Sequence, residues 1–332
     1  MLVFFKSAFD ENFFYPVISG DPKIIFENLE ESICIKTMSL NELVEIRANW
    51  LVPEGWSGIK YTLAAAYAND REGFFILEKN QQKIASISVV TYPEINFAYI
   101  GFYLVVKNLR GQGYGKLLIT KAIEHAKEIL GITSFGLNCV EDAVSMYQKY
   151  GFQVATVDEF WKYTAGITVN SKTNTSDQEY SNLDKIDDQL FSELTRFDAS
   201  VLGAHRTEFL RNFVLKPNTI TVISQDSGKI NGYGVISERE PAVIEANKSY
   251  KLGPLYADNG FIADAILEQL VAIAKPGESV YLETPGNNPV AASVVKALGF
   301  EKIGVQSKMF KGEEPNFDIK RIFAYSSIAI GG

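Results

Sequence analysis

The chain has 332 residues, 46% of them apolar, and a formal net charge of −8. That length exceeds one ordinary core and sets two domains as the expectation. The acidic balance, with no lysine- or arginine-rich run, argues against a nucleic-acid partner, and no apolar run reaches the roughly 18 residues that span a membrane.

Cys34 and Cys139 both sit in strand-like apolar runs and read as buried free thiols of a reducing compartment. The start, MLVFFKSAFDENFF, lacks the basic segment and sustained apolar core of a secretory signal, so the cytoplasm is the expected location. Residues 1–31 are rich in aromatic side chains without periodicity, and read as an extension packed over the body or as a lid over a groove. Ser32 to Thr37 alternates like a strand. Met38 to Asn49 reads as a helix opened by a Ser39–Glu42 capping box. A loop with Glu54 and Trp56 leads to a second helix, Lys60 to Asn69. Gly73 to Lys79 and Lys83 to Tyr92 form a hairpin, and Phe97 to Val106 supplies the next strand. Lys116 to Leu130 is amphipathic, with Leu118, Ala122, His125 and Ile129 on one face, which makes His125 a packing residue. Ser134 to Val140 is a strand, and Ala143 to Tyr150 a short helix before Gly151 and Phe152.

Between the Phe97 strand and the Lys116 helix lies a glycine-rich loop, Arg110-Gly111-Gln112-Gly113-Tyr114-Gly115. N–H groups at a helix start lack intrahelical partners, and the helix dipole adds positive charge there. Glycines let an anion approach, so this arrangement is a phosphate cradle with Arg110 beside it. A Walker A loop is excluded. Gly115 and Lys116 fit it, but Arg110 stands where its first glycine belongs and Leu117 where its hydroxyl belongs. A dinucleotide fingerprint is excluded too, because Gly111 and Gly113 are followed by Lys116 at the third glycine position.

The remaining pattern, R-x-x-G-x-G/A on Arg110, Gly113 and Gly115, resembles the acyl-CoA loop of the GNAT N-acyltransferase superfamily. The closing segment AVSMYQKYGF, with Tyr147 four residues before Gly151, resembles the same family, and the order of elements agrees over residues 32–165. The wording of Glu54 to Trp56 and of Arg71 to Phe75 is similar to a subgroup of two-domain GNAT proteins.

The second half repeats the first. Ile220 to Ser224 and Ile230 to Glu238 repeat the hairpin, and Tyr250 to Tyr256 repeats the motif strand. Phe261 to Ala274, Ser279 to Thr284, and Pro289 to Leu298 before Gly299-Phe300 complete the copy. The expected architecture is therefore α/β (α+β): two tandem GNAT folds, each a mixed, mostly antiparallel sheet flanked by helices. The expected units are an extension 1–31, a catalytic domain 32–165, a polar linker 166–184, a degenerate domain 185–312 and a tail 313–332. In the copy, Asp258 and a lone Gly260 replace the cradle, and Val295 stands where Tyr147 does. The second domain is read as shaping the acceptor groove or completing the sheet, with independent CoA binding as the alternative.

The resemblance implies acetyl-CoA as co-substrate and no metal. It places pantetheine along Tyr103, Leu104 and Val105, and pyrophosphate on Arg110, Gly111, Gln112, Gly113, Tyr114, Gly115 and Lys116. Asn138 becomes a polar contact to pantetheine or to Tyr147. It makes Tyr147 the general acid, with a backbone N–H near Leu104 or Val105 as oxyanion donor. Glu54 and Glu141 are the candidate bases, directly or through water, and Asp142 the cap of the closing helix. Glu54, Trp56, Tyr92 and Tyr99 are the candidate acceptor contacts and suit a cationic or aromatic amine. Two histidines and two cysteines in unrelated contexts form no Ser-His-Asp or Cys-His unit, which favours direct attack. The expected function is an acyl-CoA-dependent N-acetyltransferase acting on the amine of a small molecule or amino acid, as monomer or homodimer. A non-catalytic acyl-CoA-binding or sensing protein is the alternative, and O-acyl transfer stays open.

Overall fold

The structure, a computed structural model, describes residues 22–55, 60–166, 179–182, 187–216, 219–239 and 247–327. Its first strand, β1 (Ile24–Asn28), lies antiparallel to β2 (Ile33–Thr37), so part of the expected extension is a sheet edge. Helix α1 (Leu40–Ile46) starts from the expected capping box: the Glu42 N–H donates to Ser39 Oγ at 3.3 Å, and the Ser39 N–H to Glu42 Oε2 at 2.9 Å. The chain then winds through Arg47–Leu51 and Val52–Glu54 to Gly55, whose φ of +86° ends the turn.

Next come α2 (Lys60–Asn69), the hairpin of β3 (Phe74–Lys79) and β4 (Gln82–Tyr92), β5 (Phe97–Val105), and α3 (Tyr114–Leu130). Helix α3 buries Leu118, Ile119, Ala122, Ile123 and Ala126; His125 sits edge-on to Phe75, while Ile129 is exposed rather than part of the stripe. The first half ends with β6 (Ser134–Cys139), α4 (Glu141–Gln148) and β7 (Gln153–Thr164). The expected linker contributes an edge strand, β8 (Glu179–Asn182). Then follow α5 (Asp188–Leu202), α6 (Thr207–Val214), β9 (Thr219–Asp226), β10 (Lys229–Glu238), β11 (Ser249–Ala257) and α7 (Gly260–Val271). The chain closes with β12 (Ser279–Thr284), α8 (Pro289–Ala297), β13 (Glu301–Lys311) and β14 (Ile322–Ala324).

All strands form one sheet, in the order β1-β2-β3-β4-β5-β6-β13-β7-β12-β11-β10-β9-β8, with β14 beside β11. The two halves trade their closing strands. β13 of the second half runs antiparallel to β6, and β7 of the first half runs antiparallel to β12. β13 and β7 pair with each other along most of their length. The expected boundary near residue 165 therefore divides the chain but not the sheet.

One face of the sheet carries a core shared by both halves: Leu43, Leu63, Phe74 and Tyr99 pack in one cluster with Phe197, Phe209 and Tyr233. On that face α2 lies against α6. Separate cores form under α3 and under α7. The shared core holds a buried ion pair, with Arg206 donating to both Asp198 oxygens at 2.9 and 2.8 Å and to Tyr256 Oη and Ser326 Oγ at 3.1 Å. The expected tail is core as well, since Phe323, Ala324 and Tyr325 are buried. No described helix is long and apolar enough to cross a membrane.

Candidate functional site

The glycine-rich loop folds as its residues require. Lys107–Leu109 makes one tight turn, and Gly111 and Gly113 take φ of +78° and +90°, where a side chain is strained. α3 starts directly at Tyr114, with no side chain capping its first N–H groups. Gly115 is needed for space, because a Cβ there would lie 2.3 Å from Tyr103 Oη. Tyr103, Val105, Arg110, Gly113, Gly115 and Tyr150 are among the residues that line a concavity of about 350 Å³ at this helix start, with Gly111 and Lys116 beside them. An open anion site of this make fits the diphosphate of an acyl-CoA.

Strand β5 then parts from β6. Their parallel pairing runs only from Phe97–Ser134 to Ile100–Leu137. Beyond it β5 bends at Phe102 (φ +47°), where its register with β4 shifts, and Ser86 Oγ donates to the Phe102 carbonyl at 3.1 Å. The gap opens into a second cavity of about 600 Å³, a size typical of ligand sites. Tyr103 and Met146 line both cavities, so the cradle and the larger cavity adjoin.

Tyr147 lines the larger cavity, packed edge-on to Phe152, with its ring 6.4 Å from that of Tyr103. Burial, and then the neighbouring Tyr103, raise its phenol well above the ordinary value, so it holds its proton. Cys139 lines the same cavity, 3.6 Å from Met309 Sδ, its thiol pushed up to about 11 by burial. Cys34, by contrast, is only half-buried.

Other expected residues lie elsewhere. Glu54 faces the cradle: it accepts from Arg110 Nη2 at 2.8 Å, and Lys107 Nζ is 3.5 Å away. The Arg110 hydrogen bond holds its carboxyl below the ordinary range, which makes it a poor base. Glu141 is exposed in the first turn of α4 and does not line the cavity, and the helix is capped by Val140 without help from Asp142. Tyr92 is in the shared core, stacked on Phe97, its hydroxyl pushed up to about 12 by burial. Tyr99 is fully buried and donates to Asn138 Oδ1. Neither tyrosine lines the cavity: both pack in the shared core, and Tyr99 meets the cavity wall only through Asn138. Leu104 packs in that core also and lines neither cavity. Asn138 does line the cavity, but its amide donates to Asp158 Oδ2 at 2.8 Å. Gln112 is exposed and donates to the Asn108 carbonyl at 3.2 Å, and Tyr114 turns to Lys79. Trp56 lies outside the described residues.

The far wall of the cavity comes from the second half and from β7, and sequence reasoning missed it. Phe160, Trp161 and Tyr281 give it aromatic surface, and Arg239, Lys251 and Glu283 give it charge. Only the strand exchange brings these residues opposite Tyr147.

The second half has its own parting strands, and they are filled. β11 pairs in parallel with β12 only from Ser249–Ser279 to Lys251–Tyr281. Past that point β14 lies against β11, and the Tyr325 N–H donates to the Glu283 carbonyl at 3.0 Å. Residues 322–325 thus bridge the second gap. The start of α7 is occupied as well, since Asn259 Oδ1 accepts from the Phe261 and Ile262 N–H groups at 3.0 and 3.2 Å. The cradle end of the second copy is capped where that of the first is open.

Comparison with known proteins agrees with this geometry. Residues 40–152 match the acetyltransferase (GNAT) family and residues 194–324 an acetyltransferase (GNAT) domain. The holothin acyltransferase of Pseudoalteromonas sp. (strain SANK 73390) is 28% identical over 299 residues, 89% of this chain and 94% of that protein. A putative acetyltransferase from Pyrococcus horikoshii has the same fold, with a TM-score of 0.73 at 14% identity over 92% of this chain and 99% of that one. A tandem GNAT protein from the clavulanic acid biosynthesis pathway gives a TM-score of 0.51 at 14% identity over 73% of this chain and 83% of that one.

Proposed function

With two GNAT domains in tandem, this chain is an acyltransferase, and we propose that it moves an acetyl group from acetyl-CoA to the amine of a small molecule held between its halves. The observation that carries this reading is the pair of adjoining cavities: an open anion cradle at one end, and a proton-holding Tyr147 in the larger space it leads to. Acetyl-CoA would supply the activated thioester. Arg110 and the free N–H groups of α3 would hold its diphosphate, and the parted backbone of β5 its pantetheine arm. Tyr147 donates a proton to the departing sulfur, a role that suits a phenol kept protonated by burial. The walls of Phe160, Trp161 and Tyr281 exclude water and favour an acceptor with an apolar or aromatic body.

The test is release of free thiol from acetyl-CoA over a panel of amines, with and without Tyr147→Phe. The substitution is expected to lower turnover by about 10²–10⁴-fold and to leave acetyl-CoA affinity unchanged in calorimetry. Acetyl-CoA binding with no amine-dependent thiol release would refute catalysis and favour a sensing role.

A further inference from the structure

The sheet register gathers charge on one wall of the larger cavity. β7, β12, β11 and β10 are neighbours in that order. Tyr281 on β12 pairs with Lys251 on β11, and Glu283 with Phe160 on β7. Ser237 on β10 pairs with Lys251, and two residues on the Arg239 N–H donates to the Ser249 carbonyl at 2.8 Å. Alternation along each strand therefore puts Arg239, Lys251, Tyr281, Glu283 and Phe160 on one face, and all five line the cavity.

Among the described lining residues Arg239 and Lys251 are cations and Glu283 is the anion. Burial, and then the Arg239 charge, draw the Lys251 ammonium down, but the Glu283 carboxylate touches it, and an ion pair at contact holds both charges. That pair sums to zero. The lining as a whole is then positive, through a guanidinium that does not deprotonate. The Arg239 guanidinium lies over the Tyr281 ring, 4.2 Å from its centroid, and Lys162 Nζ is 5.6 Å from the same ring. The acids beside the wall have partners of their own. Glu238 pairs with Lys248 at 2.6 Å and Glu159 with Lys302 at 3.0 Å, while the Tyr250 hydroxyl donates to Glu278 at 3.0 Å.

A further donor lines the same cavity. Arg206 Nη1 donates to Ser326 Oγ at 3.1 Å. An arginine only donates, so this bond occupies a lone pair and leaves the hydroxyl proton in need of an acceptor. Among the described residues none is hydrogen-bonded to that proton, and Ser326 is a buried residue of the cavity lining.

We propose that this wall binds a carboxylate carried by the acceptor, so that the substrates are amines bearing a carboxylate on an apolar or aromatic body, amino acids among them. The proposal rests on the acyl-transfer reading above and names the acceptor class of that site. Arg239 offers a carboxylate two parallel N–H groups while its flat face rests on Tyr281. With five N–H groups it serves a ligand together with Ser249 Oγ, which accepts at 3.5 Å. Lys251 and Ser326 add donors to the same lining. A single negative charge balances that lining, whereas a phosphate, with close to two, exceeds it. An acceptor without an anion would leave these donors facing apolar surface, which weakens its binding.

The test compares thiol release from acetyl-CoA with 2-phenylethylamine, with L-phenylalanine, which adds a carboxylate beside the amine, and with 4-(2-aminoethyl)benzoate, which adds one on the ring. At least one of the two carboxylate amines should exceed 2-phenylethylamine in kcat/KM by about 100-fold, mainly through KM. In Arg239→Gln that preference should fall to within about threefold, and in Arg239→Lys, which keeps the charge but loses the planar fork, to an intermediate value. Ser326→Ala should lower it by about three- to tenfold. Calorimetric acetyl-CoA affinity checks that each variant is folded. 3-Phenylpropanoate, a carboxylate with no amine to acylate, gives a readout without turnover: it should bind the unsubstituted protein, and the Gln variant about tenfold or more weaker. If 2-phenylethylamine turns over as well as both carboxylate amines, or if the preference survives Arg239→Gln, the proposal is overturned and acyl transfer stands. Binding of 3-phenylpropanoate without thiol release from any amine would instead refute acyl transfer while upholding the carboxylate site.

Discussion

Glu54 is a carboxylate paired with Arg110, which lines the cradle, and it lies near Lys107. An incoming anion competes with it for the Arg110 guanidinium. Glu54→Gln should therefore raise acetyl-CoA affinity by about two- to fivefold at low salt, a gain that shrinks as salt screens the exposed pair; calorimetric titration at two ionic strengths checks it, and unchanged or weaker binding would refute the competition. Arg110 and the loop glycines were legible in the sequence because a cradle needs local residues at fixed spacing. The role of Glu54 was not, because its partner Arg110 is 56 positions away. The tyrosines show a second limit. Tyr92 and Tyr99 look like groove residues by type, yet strand alternation turns both into the shared core. Lys251 and Glu283 carried no local signal at all, since their meaning comes only from the cavity they face.

The hairpin of β3 and β4, and α3 with its loop, were legible at the level of elements because their apolar periods are local and strong. β7 and β13 were not. The first residues of β13, Glu301 to Val305, are exposed, and its partners are strands distant in the sequence. Apolar alternation is weak in such a strand, and charged pairs do part of the work. Asp158 on β7 is fully buried, accepts from Asn138 on β6 and from the Gly286 N–H, and lies 4.0 Å from Lys308 on β13. The filling of the second gap by β14 was hidden for a similar reason, since residues after 313 read as a tail. Gly253 makes that filling possible: its φ is +139°, and a Cβ there would sit 1.9 Å from the Tyr325 carbonyl oxygen. Gly253→Ala should unseat β14 and destabilise the fold by about 1–3 kcal/mol from backbone strain alone, read as a shift in the urea midpoint. A neutral result would show that the chain end does not depend on this contact.

At the scale of the whole molecule, the traded strands bind the two halves more firmly than a docked interface would. Without β13, β6 presents an open edge, and without β7, β12 does. Open edges invite aggregation. Fragments 1–165 and 166–332 expressed separately are expected to be insoluble, and co-expressed to co-purify as a complex that regains acetyl-CoA binding. A soluble, acetyl-CoA-binding 1–165 fragment would contradict this. The two-fold plan of the chain was legible as a repeat, but the trade was not, because a repeat read from sequence does not say whose sheet a strand completes.

That trade bears on how such a chain can change over generations. In the second half β14 lies beside the parted strand and Asn259 caps the helix start, so that half is not expected to be constrained by a second CoA site. Deleting its gene segment would nevertheless leave the first half with an unfinished sheet. The second half is thus expected to be retained for the strand it lends its neighbour. Its residues on the wall of the neighbouring cavity, such as Tyr281 and Glu283, are then expected to be the freer to vary. New acceptor preferences are expected to arise there, in the half that has lost the family's cradle, while the donor side stays fixed.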